Sequence, residues 1–372
     1  MLDGLRGIAA LAIVTRHAPY FFSSVSVYAS QPNGSKLAVG PFFESYLAVD
    51  FFFALSGFVL AHAYGERLHK GMSPVRFMTI RLIRLFPLYL FALLLALVVF
   101  RRQLVQGDIT LLKNIIFALC FLPSLASPVL LFPLNAPAWS LFYELLANAS
   151  FGLIGRHLKT SLLLLIVSIA GAVLLIAVYV GWLGFGSARL GAMADGFQWE
   201  GVGAGAARVA FSFFVGILVF RARKIWQLRI NIPPLVVVVA LTAILVANPP
   251  ERYQATFDLI ATLFVFPGLI FFGASSAPTG VLAYLFSWIG TASYAIYVLQ
   301  APVYELVYQA VSRLSGGNLT ELPWTWGAAF VVIIFSVAII ADKYVDRPVR
   351  RMLSTLFLNR VVAKESPGRL SI

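Results

Sequence analysis

Residues 2–18, LDGLRGIAALAIVTRHA, form a helix-length apolar run that carries Arg6 and His17 eleven positions apart, with Arg16 beside the histidine. An α-helix advances about 100° per residue, so eleven steps return to nearly the same azimuth after three turns. Both side chains therefore share one face, separated along the axis by roughly 16 Å, a little over half the thickness of a bilayer's hydrocarbon core. That face carries a permanent cation at one depth and a titratable imidazole at another.

The rest of the chain has the same solvent. Of 372 residues, 60% are hydrophobic and 12% charged, and the mean hydropathy is +0.89, which leaves too little charge to cover a soluble surface. The composition is that of a polytopic membrane protein. The excess of 28 Lys and Arg over 15 Asp and Glu would suggest nucleic acid in a soluble chain. Here most basic residues lie between apolar runs, as the positive-inside rule requires, and no nucleic-acid partner is expected. A single cysteine, Cys120, excludes an intramolecular disulfide and every multi-cysteine metal site. With His62, His69 and His157 scattered, no metal centre is expected.

Eleven apolar segments have helical length, near 6–23, 45–64, 83–100, 111–131, 138–154, 161–182, 206–221, 233–247, 256–272, 284–309 and 324–341. The basic clusters Arg67/Lys70/Arg76/Arg81/Arg84, Arg156/Lys159, Arg221/Arg223/Lys224/Arg229 and Arg347/Arg350/Arg351 are assigned to the cytoplasm, and the Gly-rich stretch 183–205 to the outside. These assignments allow ten crossings with both termini cytoplasmic, at the cost of leaving Arg101, Arg102 and Lys113 outside. Segment 111–131 is then the one that does not cross. It contains Pro123 and Pro128 and leads into Pro133 and Pro137, and proline removes a backbone donor and breaks a helix. The expected fold is all-α: about ten transmembrane helices plus one re-entrant or interfacial segment, in a single membrane domain over residues 1–355 with a cytoplasmic tail, 356–372.

Ionisable side chains at bilayer depth are costly, so each one inside a span is a functional candidate. In this topology His17, Asp50 and Glu144 fall towards the outer side, and Arg6, Arg81 and Arg84 at the inner side. Fork-like guanidinium donors suit phosphate, although RFMTIRLIRLFP also reads as an ordinary positive-inside anchor. His17 could equally be a satisfied interhelical hydrogen bond, and Asp50 and Glu144 partners of Arg16 or helix caps. Ser56-Gly57 permits close approach of a helix or of a slender ligand. Trp139-Ser140 reads as an interfacial anchor or a site element. Tyr294, Tyr297 and Gln300 put polar groups on one helix face, as interhelical glue or as part of a site. GxxxxGK[ST], HExxH and GxSxG are all absent from the sequence.

The segments LDGLRGIAALAIVTRHA, AVDFFFALSGFVL, RLIRLFPLYL, AWSLFYELLANASFGL and SYAIYVLQAP, in this order and spacing, resemble the membrane acyltransferase-3 family, the bacterial group that O-acylates surface polysaccharides and related glycans. The resemblance covers nearly the whole chain. It implies a ten-span membrane domain, an acyl-CoA donor and a hydroxyl acceptor. Arg6 and His17 match the family's arginine–ten residues–histidine motif, Arg81 and Arg84 its paired arginines, Ser56-Gly57 its Phe-rich Ser-Gly motif, and Trp139, Ser140 and Glu144 its Trp-Ser-Leu…Glu segment. Gln300 departs from the pattern, since many members have histidine there.

The expected activity is therefore acyl transfer in the bacterial inner membrane, with membrane lipids as surroundings. The group transferred would be acetyl, from cytoplasmic acetyl-CoA to a hydroxyl of an extracytoplasmic glycan such as an O-antigen or exopolysaccharide. His17 is the expected general base because imidazole titrates near neutrality, with Asp50 or Glu144 to orient it. Arg6, Arg81 and Arg84 are expected to hold the CoA phosphates, with Ser56 and Gly57 beside the donor. Trp139, Ser140, Tyr297 and Gln300 are expected on the substrate side. Acylation of a small molecule or lipid, succinyl transfer, and export of an acylated or anionic solute are the competing readings.

Overall fold

A computed structural model of the chain describes residues 1–17, 42–186, 192–226, 232–314 and 324–358, together with the backbone of a short antiparallel ribbon, Tyr28–Ser30 against Lys36–Ala38. Nearly everything else that is regular is helical. In chain order the helices are α1 (Leu2–His17), α2 (Ala48–His69), α3 (Pro74–Val99), α4 (Arg101–Val105), α5 (Ile109–Leu119), α6 (Ala138–Ile154), α7 (Thr160–Val180), α8 (Val202–Trp226), α9 (Pro234–Val246), α10 (Glu251–Ile260), α11 (Phe266–Gly273), α12 (Gly280–Leu314), α13 (Trp324–Ala341) and α14 (Arg347–Leu353).

Among the described residues seven helical stretches are long and apolar enough to cross a membrane: Ser45–His69, Pro74–Val99, Thr160–Val180, Val202–Trp226, Glu251–Gly273, Gly280–Leu314 and Thr325–Leu358. The count of ten read from the sequence also needs α1, α6 and α9, whose described lengths are 16, 17 and 13 residues. Residues 18–23 of the first apolar segment lie outside the described residues. Residues 356–358 of the expected tail continue the last helical turn, Ser354–Leu358, and 359–372 also lie outside.

Segment 111–131 does not form a long helix. α5 has 11 residues, about 16 Å, and from Cys120 to Pro137 the chain is irregular. Several of its backbone groups nonetheless find partners. Leu131 N–H donates to the Phe197 carbonyl and Trp199 N–H to that of Val129, each at 3.0 Å, while the Trp199 indole donates to the Ser124 and Ser127 carbonyls. Non-helical backbone at membrane depth needs such partners.

Two π-helical turns, Ala261–Val265 and Asp342–Asp346, each run directly into a helix with proline at its second residue, Pro267 and Pro348. A proline ring clashes with the carbonyl four residues back, and a widened turn relieves that clash while the helix continues.

The bundle is built on two close helix pairs, α1 with α12 and α2 with α8. In the second, a Cβ added at Gly57 would fall 1.9 Å from the Phe213 carbonyl oxygen, and one at Gly216 would fall 1.9 Å from that of Ala54. Backbone meets backbone there, which only glycine permits. α1 and α12 run parallel: Gly4 packs on Phe286, Gly7 on Ile289, and further along His17 meets Gln300.

Candidate active site

α2, α3, α6 and α12, with Arg6 of α1, enclose a cavity of about 250 Å³ lined by Arg6, Ser56, Arg81, Arg84, Ser140, Glu144, Ser293, Tyr294 and Tyr297 among apolar side chains such as Phe52, Leu60 and Leu141. The charged groups on its wall are three guanidiniums and one carboxylate, a net charge of +2. Such a wall favours an anion.

The four charged groups come from three helices, Arg6 from α1, Arg81 and Arg84 from α3, and Glu144 from α6. Arg6 donates from Nε to Ser293 Oγ at 2.8 Å and from Nη2 to the Gly290 carbonyl at 2.9 Å, and it pairs with Asp3 at 3.2 Å. Arg81 Nη2 lies 3.1 Å from Glu144 Oε1, the same oxygen that accepts from Ser56 Oγ at 2.8 Å. Arg84, one helical turn beyond Arg81, lines the cavity half-buried and feels the charge of Asp346 across the contact of α3 with the π-helical turn Asp342–Asp346. Asp346 is itself paired with Arg350 at 2.6 Å.

On the same wall Tyr297 and Ser140 share a hydrogen bond of 2.6 Å, and Ser140 Oγ donates to the Pro137 carbonyl at 3.1 Å. One turn along α12, Gln300 Nε2 donates to the Tyr297 carbonyl at 3.0 Å, and its Oε1 lies 3.3 Å from His17 Nδ1. A line of polar contacts thus runs from the cavity wall to His17, which does not itself line the cavity.

The cavity therefore gathers Arg6, Arg81, Arg84, Ser56, Ser140, Glu144, Tyr294 and Tyr297 of the residues singled out in the sequence. It does not bring His17, Asp50 and Glu144 to one place, as the reading by depth expects. Glu144 sits with the arginines. Asp50 is completely buried and held by Arg208, whose Nη2 lies 2.6 Å from Oδ2 and whose Nε donates to both carboxylate oxygens at 3.2 Å. Arg208 also donates to the carbonyls of Asp195 at 2.6 Å and Tyr46 at 3.0 Å, and its guanidinium lies over the Trp139 ring, 5.4 Å from the centroid. Trp139 thus backs this ion pair and does not line the cavity. Gly57 faces α8, while its neighbour Ser56 faces the cavity.

Sequence reading missed Arg208, although an arginine inside the apolar run 206–221 was itself a signal. It also missed a buried group beside Arg16. Tyr46 Oη donates to Asp258 Oδ2 at 2.8 Å, as does the Met193 amide at 3.0 Å, and Gln254 donates to Glu44 at 3.4 Å. Arg16 lies over the Tyr46 ring, and burial pushes the Glu44 carboxyl above its ordinary value.

The helical bundle thus surrounds a small cavity whose wall carries a net positive charge, with His17 reached from that wall through a short series of polar contacts. Residues 1–342 match the family described as acyltransferase domain, acyltransferase type 3, so the chain belongs to that family. It is also similar to "Protein 2 in picA locus" of Rhizobium radiobacter, 39% identical over 194 residues, which are 48% of this chain and 93% of that protein. No solved structure matches the chain.

Proposed function

We propose that the protein transfers an acyl group, acetyl in the first instance, from acyl-CoA to a hydroxyl of a glycan outside the cytoplasmic membrane. The observation that carries this reading is the cavity wall of Arg6, Arg81 and Arg84 joined through Tyr297 and Gln300 to His17. The arginines suit the phosphates of CoA, and the apolar lining suits the pantetheine arm. In this reading α1, α6 and α9 also cross the bilayer, giving ten crossings in the bacterial inner membrane with both termini cytoplasmic. The donor enters from the arginine side and the acceptor is met at the His17 end.

The chemistry needs one base. His17 takes the proton of the acceptor hydroxyl as the oxygen attacks the thioester carbonyl. The tetrahedral intermediate collapses by breaking the carbon–sulfur bond, and the imidazolium returns its proton to the CoA thiolate. An ester and free CoA result, with no external oxidant or proton needed.

Mass spectrometry of surface glycans tests this reading in cells carrying the wild-type protein, no protein, or His17→Ala at the wild-type level. An acetyl mass increment of the glycan confined to the wild-type cells is expected. Identical glycans in all three would turn attention to a small-molecule or lipid acceptor.

A further inference from the structure

We propose that Gln300 is the positioning residue that orients His17 and sets its tautomer, leaving Nε2 as the basic nitrogen. The inference rests on the reading of His17 as general base and says how that base is prepared. A backbone carbonyl can only accept, so the contact with the Tyr297 carbonyl at 3.0 Å fixes the Gln300 amide with its nitrogen on that side. Oε1 then faces His17 Nδ1 at 3.3 Å. An amide oxygen brings no proton, so the hydrogen must reside on Nδ1, and in a neutral imidazole the lone pair is left on Nε2.

The support behind Gln300 is rigid. The side chain is 1% exposed, and the α12 turn that carries it is tied at Tyr297 to Ser140. The carboxylates nearest in sequence logic are committed elsewhere, Asp50 to Arg208 and Glu144 to Ser56 and Arg81. The arrangement follows the logic of a base held by a third group, with a neutral amide in the place usually taken by an acid. Among the described residues, the charged and titratable groups around His17 are Arg16 on its own helix and, across Arg16, Glu44, Tyr46 and the α10 acid Asp258, with Arg208 of α8 beyond them.

This assignment is testable without substrate, because the chain has four histidines. In ¹⁵N-histidine-labelled protein in lipid nanodiscs, the nitrogen shifts of His17, assigned by their loss in His17→Gln, should report the Nδ1–H tautomer. Gln300→Leu should move them towards the other tautomer and lower kcat by between about tenfold and the ~10⁴-fold lost when a triad histidine takes the wrong tautomer. The KM for acyl-CoA should change little. Gln300→Glu should keep the tautomer and retain transfer, but shift the acid limb of the pH–rate profile to higher pH, because a carboxylate stabilises the imidazolium. This second variant carries the test should Gln300→Leu not fold. Unchanged shifts in Gln300→Leu, or an unmoved acid limb in Gln300→Glu, would overturn the role given to Gln300. Full transfer by His17→Ala would instead overturn the underlying reading of the base.

Discussion

Asp50 and Arg208 form an ion pair with neither side chain exposed and a closest approach of 2.6 Å, and the guanidinium also donates to the carbonyls of Asp195 and Tyr46. One side chain therefore ties α2, α8, the turn before α2 and the loop before α8 into a single joint. Losing one partner leaves an uncompensated charge in the interior. Asp50→Asn or Arg208→Ala should cost about 3–5 kcal/mol of stability. Arg208→Lys should not rescue, since one ammonium cannot reproduce the planar fork. Thermal unfolding of detergent-solubilised variants checks this, and an Asp50→Asn protein as stable as wild type but inactive would restore Asp50 to the chemistry.

Donor and base should separate by mutation. Arg84→Ala should weaken CoA binding by roughly ten- to a hundredfold, the equivalent of about 1.5–3 kcal/mol for one charge-assisted contact. His17→Ala should leave that affinity nearly unchanged while lowering transfer by about 10²–10⁴-fold. Calorimetric titration with CoA, beside a transfer assay, distinguishes the two. Equal CoA affinity in wild type and in the Arg81→Ala/Arg84→Ala double variant would reduce these arginines to topology anchors.

Ser56 and Gly57 are neighbours with separate duties. Gly57→Ala and Gly216→Ala each drive a methyl into a facing carbonyl. Each should cost about 1–3 kcal/mol, as overpacking does, and lower the melting temperature. Ser56→Ala removes a hydroxyl bonded to Glu144 at the cavity wall. It should change CoA binding or turnover while leaving the melting temperature close to wild type. A stability loss confined to Ser56→Ala would reverse these assignments.

Glu44 should make stability depend on pH. Burial raises its folded-state pKa, so the folded protein favours the protonated acid over the carboxylate. The stabilisation is then fully present below the unfolded value of about 4.3 and is lost as pH rises through the folded value. Glu44→Gln mimics the protonated form and should flatten that decline. Melting temperatures of both proteins from pH 4 to pH 8 measure the difference, and parallel curves would count against a protonated Glu44.

Much of this molecule is written locally. The membrane class, the helical segments and the shared face of Arg6 and His17 follow from composition and from a 3.6-residue period acting within one stretch. The structure agrees on that face, for Arg6 meets Ser293 and His17 meets Gln300 along the same helix. The prolines of 120–137 likewise announced that no long helix would form there, because a missing N–H is a local fact.

Partners are decided differently. Asp50 and Arg208 are 158 residues apart, and His17 and Gln300 are 283 apart. Depth along a helix says which side chains lie at one level, but not which neighbouring helix each one faces. That choice is made by packing: Gly57 against the Phe213 carbonyl and Gly216 against that of Ala54 set α2 on α8 and deliver Asp50 to Arg208. The close fit of α1 on α12 brings His17 to an amide. The sequence alone determined the solvent, the helices and the chemical repertoire of this protein. Only the tertiary structure decided which acid pairs with which base, because a buried charge takes the partner that helix packing brings within hydrogen-bonding distance.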